Sequence, residues 1–426
     1  MTFYFINNSE FLILLYLLIF YKVILHLAES EDPTMEQTIS TVVNEPRKTF
    51  PSHRLSAIDF VRGFAIILMA LDHASTYWNK GRVFGEGIIY FEFYPLSADL
   101  LQILVRFVTH YCAPTFIFLA GTSIALSEAK RLEKGEKSEI FTQHLVIRGL
   151  ILLVIEWTVI AFMFQAAPLY FGVLACIGFS FIILAIIREL DTLILFILSI
   201  GIIALSPFLY YNLTLSGAFD SLNFLKIVLF SPEWPYGIYP LIPWFGVMGL
   251  GFVFGRWLKK QQTYPDTTKR IVKMLAIVGI GSIGAFFILR IATGFPFNYL
   301  GIWDMEEPLA LKSLLLISKY PPSITYLLWT LGGMCLVLAI AFKLQESSWF
   351  KSWSFPVVLF GTTPLFFYSI HLLIYGPIPV LFDLKNGFPL QITLMVWILG
   401  LILLYPLCLY FRETKKKYPH SVLKYI

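Results

Sequence analysis

The sequence predicts an all-α integral membrane protein, a polytopic bundle of about ten core transmembrane helices with an extra helix at the N-terminus. Of its 426 residues, 58% are hydrophobic and only 14% are charged, whereas an ordinary soluble chain is about 45–50% apolar and about 25% charged. The mean hydropathy of +0.74 agrees with this class. The apolar runs are long and unbroken, which excludes the alternating strands of a membrane barrel.

The chain divides into four parts by composition. Residues 1–28 hold an apolar run without a basic start, which favours a retained N-terminal helix over a cleaved signal peptide. Residues 29–53 are a polar linker, 54–411 are the membrane domain, and 412–426 are a basic tail. The membrane domain contains ten apolar segments with these approximate limits: 55–77, 98–127, 145–165, 169–188, 191–211, 237–258, 271–292, 323–342, 356–380 and 389–411.

Basic residues cluster at alternate connections between these segments, and the opposite connections are acidic. By the positive-inside rule, the linker and the C-terminus are expected in the cytoplasm. The formal charge of +5 is small, so we expect contact with anionic membrane lipid and no binding of nucleic acid. The four cysteines lack the spacing of metal ligands, and no metal site is expected.

The first core segment carries ionisable residues at both ends of a predicted helix. Asp59 and Arg62 are three residues apart, so they share a face and are expected to pair. His73 follows Arg62 by eleven residues, about 16 Å along the axis. Asp72 is adjacent to His73 and therefore points elsewhere. Ionisable groups inside a membrane usually mark function, although a structural ion pair and an interfacial His would also account for this pattern.

The second core segment carries Arg106 and His110, which are one turn apart on one predicted helical face. Pro114 is expected to kink or break this helix and to free a backbone carbonyl near His110. We interpret His110 as functional, with a structural hydrogen-bonding role as the alternative.

Later segments add further polar residues at membrane depth. Tyr368, His371 and Tyr375 form a stripe on one helical face that is expected to face protein or water, with helix–helix hydrogen bonding as the alternative. Lys319 precedes two prolines and is expected at the outer surface, where the eighth segment begins. Glu156 is expected to pair with a cation and to have a structural role.

These motifs resemble the membrane acyltransferase superfamily, and most closely bacterial relatives of the heparan-α-glucosaminide N-acetyltransferase catalytic domain. The stretch from Arg54 to Gly63, followed by Met-x-x-Asp-His at 69–73, resembles the opening helix of that superfamily. The resemblance extends over residues 54 to about 411 through these further motifs: 106–121, 240–248, 318–323 and 363–371.

The resemblance implies a multi-pass acyltransferase of the bacterial inner membrane. An acyl group, most simply acetyl, would pass from cytoplasmic acyl-CoA to a sugar amine or hydroxyl on the far side, which is a glycan modification. The superfamily carries an Arg, ten residues and then a His in its first helix, and Arg62 and His73 match this spacing. The eukaryotic enzyme has its proposed catalytic His in the next loop, whereas residues 74–99 here contain no His.

The chemistry assigns provisional roles to the polar residues. A His is the natural general base for an amine or hydroxyl acceptor, and His73 is the first candidate. His110 and His371 remain alternatives as the base or as residues that orient His73. Asp59, Asp72 and Tyr368 are expected to support the site. The candidates for binding the phosphates or thioester oxygen of acetyl-CoA are three basic residues: Arg62, Arg106 and Lys319.

A proton-coupled transporter of a sugar- or lipid-linked solute is the main competing hypothesis, because intramembrane His and Arg also serve proton relays. Transporters often contain inverted repeats, and none is evident in the sequence. An inactive structural protein would leave these His and Arg residues unexplained. The sequence leaves open the acceptor, the acyl chain, an acyl-histidine intermediate and the oligomeric state, a homo-oligomer included.

Overall fold

The computed structural model describes the following residues: 56–82, 99–210, 212, 223–230, 232–292, 297–298, 301–302, 314–315, 317–418 and 421. The N-terminal helix predicted for 1–28 and the linker 29–53 lie outside these residues. The first half of the described bundle consists of α1 (Ser56–Trp78), α2 (Leu100–Thr109), α3 (Cys112–Leu132), α4 (Ser138–Ile155), a π-helical turn (Glu156–Ile160), α5 (Ala161–Phe164), α6 (Val173–Ile187), α7 (Thr192–Leu209) and α8 (Asn223–Leu229).

The second half begins with two long helices and ends with the longest helix among the described residues. Its elements are α9 (Leu241–Gln261), α10 (Thr267–Ala292), the two-residue strands β1 (Phe297–Asn298) and β2 (Gly301–Ile302), α11 (Ile324–Leu344), α12 (Ser348–Trp353), α13 (Phe355–Thr362), α14 (Pro364–Tyr375), α15 (Pro377–Leu381) and α16 (Leu390–Lys417).

The predicted fold class is confirmed, since the described residues form an all-α polytopic bundle in which β1 and β2 are the sole strands. Within the part of the chain that the structure describes, eight helical segments are long and apolar enough to span a membrane. The two other predicted spans are also helical. α6 has only 15 residues, and α1 carries Asp59, Arg62 and Asp72 among its apolar residues.

Helix α1 lies at the centre of the packing and contacts α3, α11, α13, α14 and α16. Ile66, Ala70 and Ala74 are fully buried along its length. A helix surrounded in this way cannot send its charged side chains to solvent or lipid headgroups. Its ionic residues must therefore find partners on neighbouring helices.

Glycines allow close approach of helix backbones at two crossings. At the crossing of α1 and α13, a Cβ on Gly63 would collide with the carbonyl of Val357, and one on Gly361 with that of Asp59. At the crossing of α3 and α9, a Cβ on Gly251 would collide with the Phe118 carbonyl. Small residues at helix contacts are the expected packing device in membranes.

The predicted interruption before Pro114 is present, as α2 ends at Thr109 and α3 begins at Cys112. Because Pro114 has no N–H, the His110 carbonyl lacks its usual partner in the helix. The Tyr326 hydroxyl donates to that carbonyl at 3.0 Å. Near the C-terminus, α16 continues to Lys417, so the predicted basic tail begins as helix.

We expect Gly251→Ala to lower the thermal unfolding temperature of the purified protein clearly, because the added methyl meets backbone that cannot move aside, a cost of about 1–3 kcal/mol. Gly281→Ala is the matched control, since a Cβ there meets no atom within 4 Å. Differential scanning fluorimetry in detergent compares the two variants. Equal unfolding temperatures would contradict the packing described for α3 and α9.

Candidate active site

His73 of α1 and His371 of α14 form a direct pair, with His73 Nδ1 and His371 Nε2 2.6 Å apart. The two rings lie within 14° of parallel. On the other side of its ring, His371 Nδ1 lies 3.0 Å from the carbonyl oxygen of Phe367, one turn earlier in α14. The pair joins residues that are 298 positions apart in the chain.

This arrangement determines the tautomers of a neutral pair. The Phe367 carbonyl can only accept, so His371 Nδ1 carries a proton and donates it. His371 Nε2 is then the acceptor for His73 Nδ1–H. The remaining nitrogen, His73 Nε2, keeps its lone pair and is able to accept a proton from another molecule.

His73 lines a chamber of about 450 Å³ inside the bundle. This volume lies in the range of small-molecule binding sites. Tyr368 of α14 also lines it, and its ring centroid is 6.3 Å from that of His73. Other chamber-lining residues with ionisable side chains include Asp72, Arg82, Arg106, Glu156, Lys319 and Lys385.

The Asp72 carboxylate forms ion pairs with two arginines. Its Oδ1 pairs with Arg106 of α2 and, at 3.0 Å, with Arg82. Thr109 Oγ1 lies 3.3 Å from the same oxygen. One carboxylate thus holds two guanidinium groups at the wall of the chamber, and Arg82 is a chamber residue that sequence reasoning missed.

Lys319 is buried, with 4% of its surface exposed, and does not lie at the surface as expected. The segment before α11 folds inward, so that the Lys319 ammonium lies 4.9 Å from the ring centroid of Tyr320 and 5.9 Å from that of Tyr239. Such cation–π contacts stabilise a desolvated cation. Burial lowers the pKa of the Lys319 ammonium.

Arg62 lies in a second, smaller cavity of about 140 Å³. Its guanidinium donates to Asp59 at 3.0 Å, as the spacing predicted, and to the Gly361 carbonyl at 3.1 Å. Arg148 of α4 lines the same cavity. The two cavities adjoin, because they share the following lining residues: Phe116, Leu174, Ile177 and Tyr368.

Two other polar candidates, His110 and Tyr375, do not line the chamber, although the Tyr375 ring lies edge-on to that of His371 at 6.3 Å between centroids. His110 is buried with its ring edge-on to Tyr326 at 5.4 Å between centroids. Tyr375 donates its hydroxyl to the Trp397 carbonyl at 2.9 Å, which is the helix–helix role. The predicted polar stripe of α14 therefore divides, with Tyr368 at the chamber, His371 against His73 and Tyr375 against α16.

The prediction that Glu156 pairs with a cation is wrong. Among the described residues, no basic side chain lies within ion-pair distance of its carboxyl group. Instead, Oε2 accepts the backbone N–H of Leu174 at 2.8 Å. This N–H belongs to the first turn of α6, where free amides and the helix dipole favour negative charge. The sequence does not indicate this contact, because capping residues normally lie directly before the helix in the sequence.

The fold and the site define a helical membrane protein with an internal polar chamber. A family model, heparan-alpha-glucosaminide N-acetyltransferase, catalytic, matches residues 54–290, more than half of the chain. The chain therefore belongs to that family, and its function is of the membrane acetyltransferase type. No curated protein matches the chain in sequence. The match includes His73, Arg62 and Arg106, whereas Lys319 and His371 lie beyond it.

We expect Asp72→Asn to destabilise the protein by about 3–5 kcal/mol, because it leaves two guanidinium groups at a buried site without their carboxylate. Thermal unfolding in detergent measures the loss. Asp266→Asn is the control, since the Asp266–Lys269 pair is largely exposed and such pairs contribute little. The same unfolding temperature for both variants would contradict the role of Asp72.

Proposed function

We propose that this protein transfers an acetyl group from acetyl-CoA to an amino or hydroxyl group of a sugar, with His73 as the general base. The observation that carries the proposal is the hydrogen bond between the buried His371 and His73, which lines the chamber. Membership of an acetyltransferase family supports the reaction class.

His73 acts through its free nitrogen. With Nδ1–H directed to His371, Nε2 accepts the proton of the acceptor as the acceptor attacks the thioester carbonyl. His371 is a positioning residue, because it fixes the ring and tautomer of His73 without itself touching the acceptor. The Phe367 carbonyl behind His371 takes the orienting place that a carboxylate fills in many His-dependent sites.

The reaction proceeds by addition and elimination. The acceptor nitrogen or oxygen forms a bond to the acetyl carbon, and its proton moves to His73 Nε2. The bond between the acetyl carbon and sulfur then breaks, and the leaving sulfur takes the proton from His73, which gives free CoA and the acetylated sugar. Lys319 and Arg106 favour the negative charge on the intermediate through the positive potential that they create at the chamber wall.

Arg62 and Arg148 bind the phosphates of acetyl-CoA. Both line the cavity that adjoins the chamber, and guanidinium groups are well suited to phosphate oxygens. Arg62 and His73 lie about 16 Å apart along α1. An extended pantetheine arm spans a comparable distance, so phosphates at Arg62 would bring the thioester to His73.

The charge distribution supports entry of acetyl-CoA from the cytoplasm. Connections rich in Lys and Arg lie at the Arg62 end of the bundle, for example after α3, whose last turn carries Lys130 and Arg131. Connections of this kind face the cytoplasm in multi-pass membrane proteins. The acceptor then approaches from the opposite end, where His73 lies.

We expect His73→Ala to lower kcat by about 10²–10⁴-fold, because it removes the base. His371→Phe should lower kcat less, since the base remains but loses its orientation. Both variants should bind acetyl-CoA normally. Transfer of labelled acetyl to glucosamine by purified protein measures kcat, and calorimetry measures acetyl-CoA binding.

His144→Ala is the control for the loss of an imidazole, since His144 contacts Arg131 at 3.1 Å and does not line the chamber. Its kcat should equal that of the wild type. Full turnover by a folded His73→Ala sample would show that another residue is the general base, and it would contradict this mechanism.

We expect Arg62→Ala and Arg148→Ala each to weaken acetyl-CoA binding by about tenfold or more, because each removes a charge-assisted contact to phosphate. Dephospho-CoA and CoA derivatives would show which phosphate each residue contacts. Calorimetry on purified protein gives the dissociation constants.

Lys351→Ala is the matched control, as Lys351 lies at the Arg62 end but pairs with the exposed Glu346. Ring contact between Phe60 and Phe350 places this region beside the start of α1. Unchanged binding of acetyl-CoA in both Arg variants would show that the phosphates of acetyl-CoA do not bind in the second cavity. A folded wild type that binds no acyl-CoA would favour the transporter hypothesis.

A further inference from the structure

We infer that a third cavity, separate from the chamber, binds the headgroup phosphate of a membrane phospholipid. This third cavity has a volume of about 430 Å³ and lies between α3, α4, α6 and α9. It shares no lining residue with the chamber or with the cavity that contains Arg62. The proposed acetyl transfer uses none of its polar lining residues, which are Glu128, Ser138, Arg188, Glu189, Arg256 and Lys259.

The third cavity lies where the surrounding helices end. Three of them, α3, α6 and α9, end at Leu132, Ile187 and Gln261, close to its lining residues. The fourth, α4, begins there at Ser138. Because spanning helices end where the hydrocarbon core gives way to headgroups, the cavity lies at the depth of the lipid headgroups.

The two carboxylates of the third cavity neutralise one of its three basic residues. Arg188 is buried and pairs with Glu128 and, at 3.1 Å, with Glu189. The other two basic residues, Arg256 and Lys259, form no ion pair with either of these carboxylates. The lining therefore carries an excess of positive charge, which favours an anionic group in the cavity.

Neutral acceptors hold the Arg256 guanidinium in place. It donates to the carbonyls of Arg188 and, at 2.9 Å, Leu190, and its Nη1 lies 3.3 Å from the Thr192 hydroxyl. Among the described residues, no carboxylate lies within ion-pair distance of Arg256. A guanidinium has five N–H groups, and these contacts use three. Arg256 is therefore oriented by the end of α6 and keeps donors for a phosphate, which suits guanidinium geometry.

Lys259 follows Arg256 by three residues in α9, so both lie on one helical face and both line the third cavity. The Lys259 ammonium pairs at 2.8 Å with Glu133, which is mostly exposed and does not line the cavity. Exposed pairs of this kind contribute little free energy. The ammonium can therefore turn to a phosphate beside Arg256 at little cost.

The apolar surroundings of the third cavity favour a lipid over a soluble phosphate. Leu132 lines the cavity and is 46% exposed. Arg256 contacts Thr192, the first residue of α7, and the next two residues of that helix, Leu193 and Ile194, are exposed. A phospholipid bound at Arg256 and Lys259 would thus have apolar side chains beside its acyl chains, where the hydrophobic effect adds to its affinity.

The test compares Lys259→Ala with Lys260→Ala, since the neighbouring Lys260 is exposed and does not line the cavity. Phosphatidylglycerol is titrated into purified protein in detergent, and native mass spectrometry gives its dissociation constant. We expect binding to weaken about fivefold in Lys259→Ala and about tenfold or more in Arg256→Gln. Lys260→Ala should bind as the wild type does. Lys259→Ala should also keep the wild-type unfolding temperature and acetyl-CoA affinity.

Two further probes separate the phosphate from the acyl chains. Diacylglycerol with the same acyl chains lacks the phosphate, and inorganic phosphate lacks the chains. We expect the wild type to bind phosphatidylglycerol more tightly than either probe. Equal binding of diacylglycerol would show that the phosphate is not recognised. Equally tight binding of inorganic phosphate would make this a site for a soluble anion, and either result would overturn the inference.

Two results from the variants would also overturn it. Unchanged binding of phosphatidylglycerol in both Lys259→Ala and Arg256→Gln would show that the lipid binds elsewhere. A loss of acetyl-CoA affinity in Lys259→Ala would assign the third cavity to acetyl-CoA. Because lipid binding is measured without turnover, the inference is tested independently of the proposed function.

Discussion

The structure depends on pairing the ionic residues of α1, which lie largely buried inside the bundle. Arg62 near one end pairs with Asp59 and the Gly361 carbonyl, and Asp72 near the other end pairs with Arg82 and Arg106. In a membrane, polar groups without internal partners are too costly to retain. The neighbouring helices α2 and α13 are therefore fixed around α1 by its charges as well as by its apolar residues.

The same packing creates the candidate site. The Gly63–Gly361 contact brings α13, and with it α14, against α1, and α14 then delivers His371 to His73. The hydrogen-bond chain ends at a backbone carbonyl, which holds the imidazoles in one tautomeric state without adding a buried charge. An arrangement of this kind provides a base while avoiding the desolvation cost of another carboxylate in the bundle.

Local patterns were enough to predict the helices, the Asp59–Arg62 pair and the interruption before Pro114, because each depends on residues within one or two turns. The partner of His73 was left open among several histidines, since the contact with His371 joins distant segments. Glu156 was misread for the same reason: its partner is a backbone N–H of the next helix, which no side-chain pattern reveals. Lys319 was expected at the surface because two prolines after it indicate a turn, whereas the fold turns that segment inward.

The most direct test of the account is transfer across a sealed bilayer. Purified protein is reconstituted into vesicles that contain glucosamine, and labelled acetyl-CoA, which does not cross the membrane, is added outside. The account predicts that labelled N-acetylglucosamine accumulates inside the vesicles. Labelled product that forms only when glucosamine is also outside would contradict a chamber that receives donor and acceptor from opposite sides.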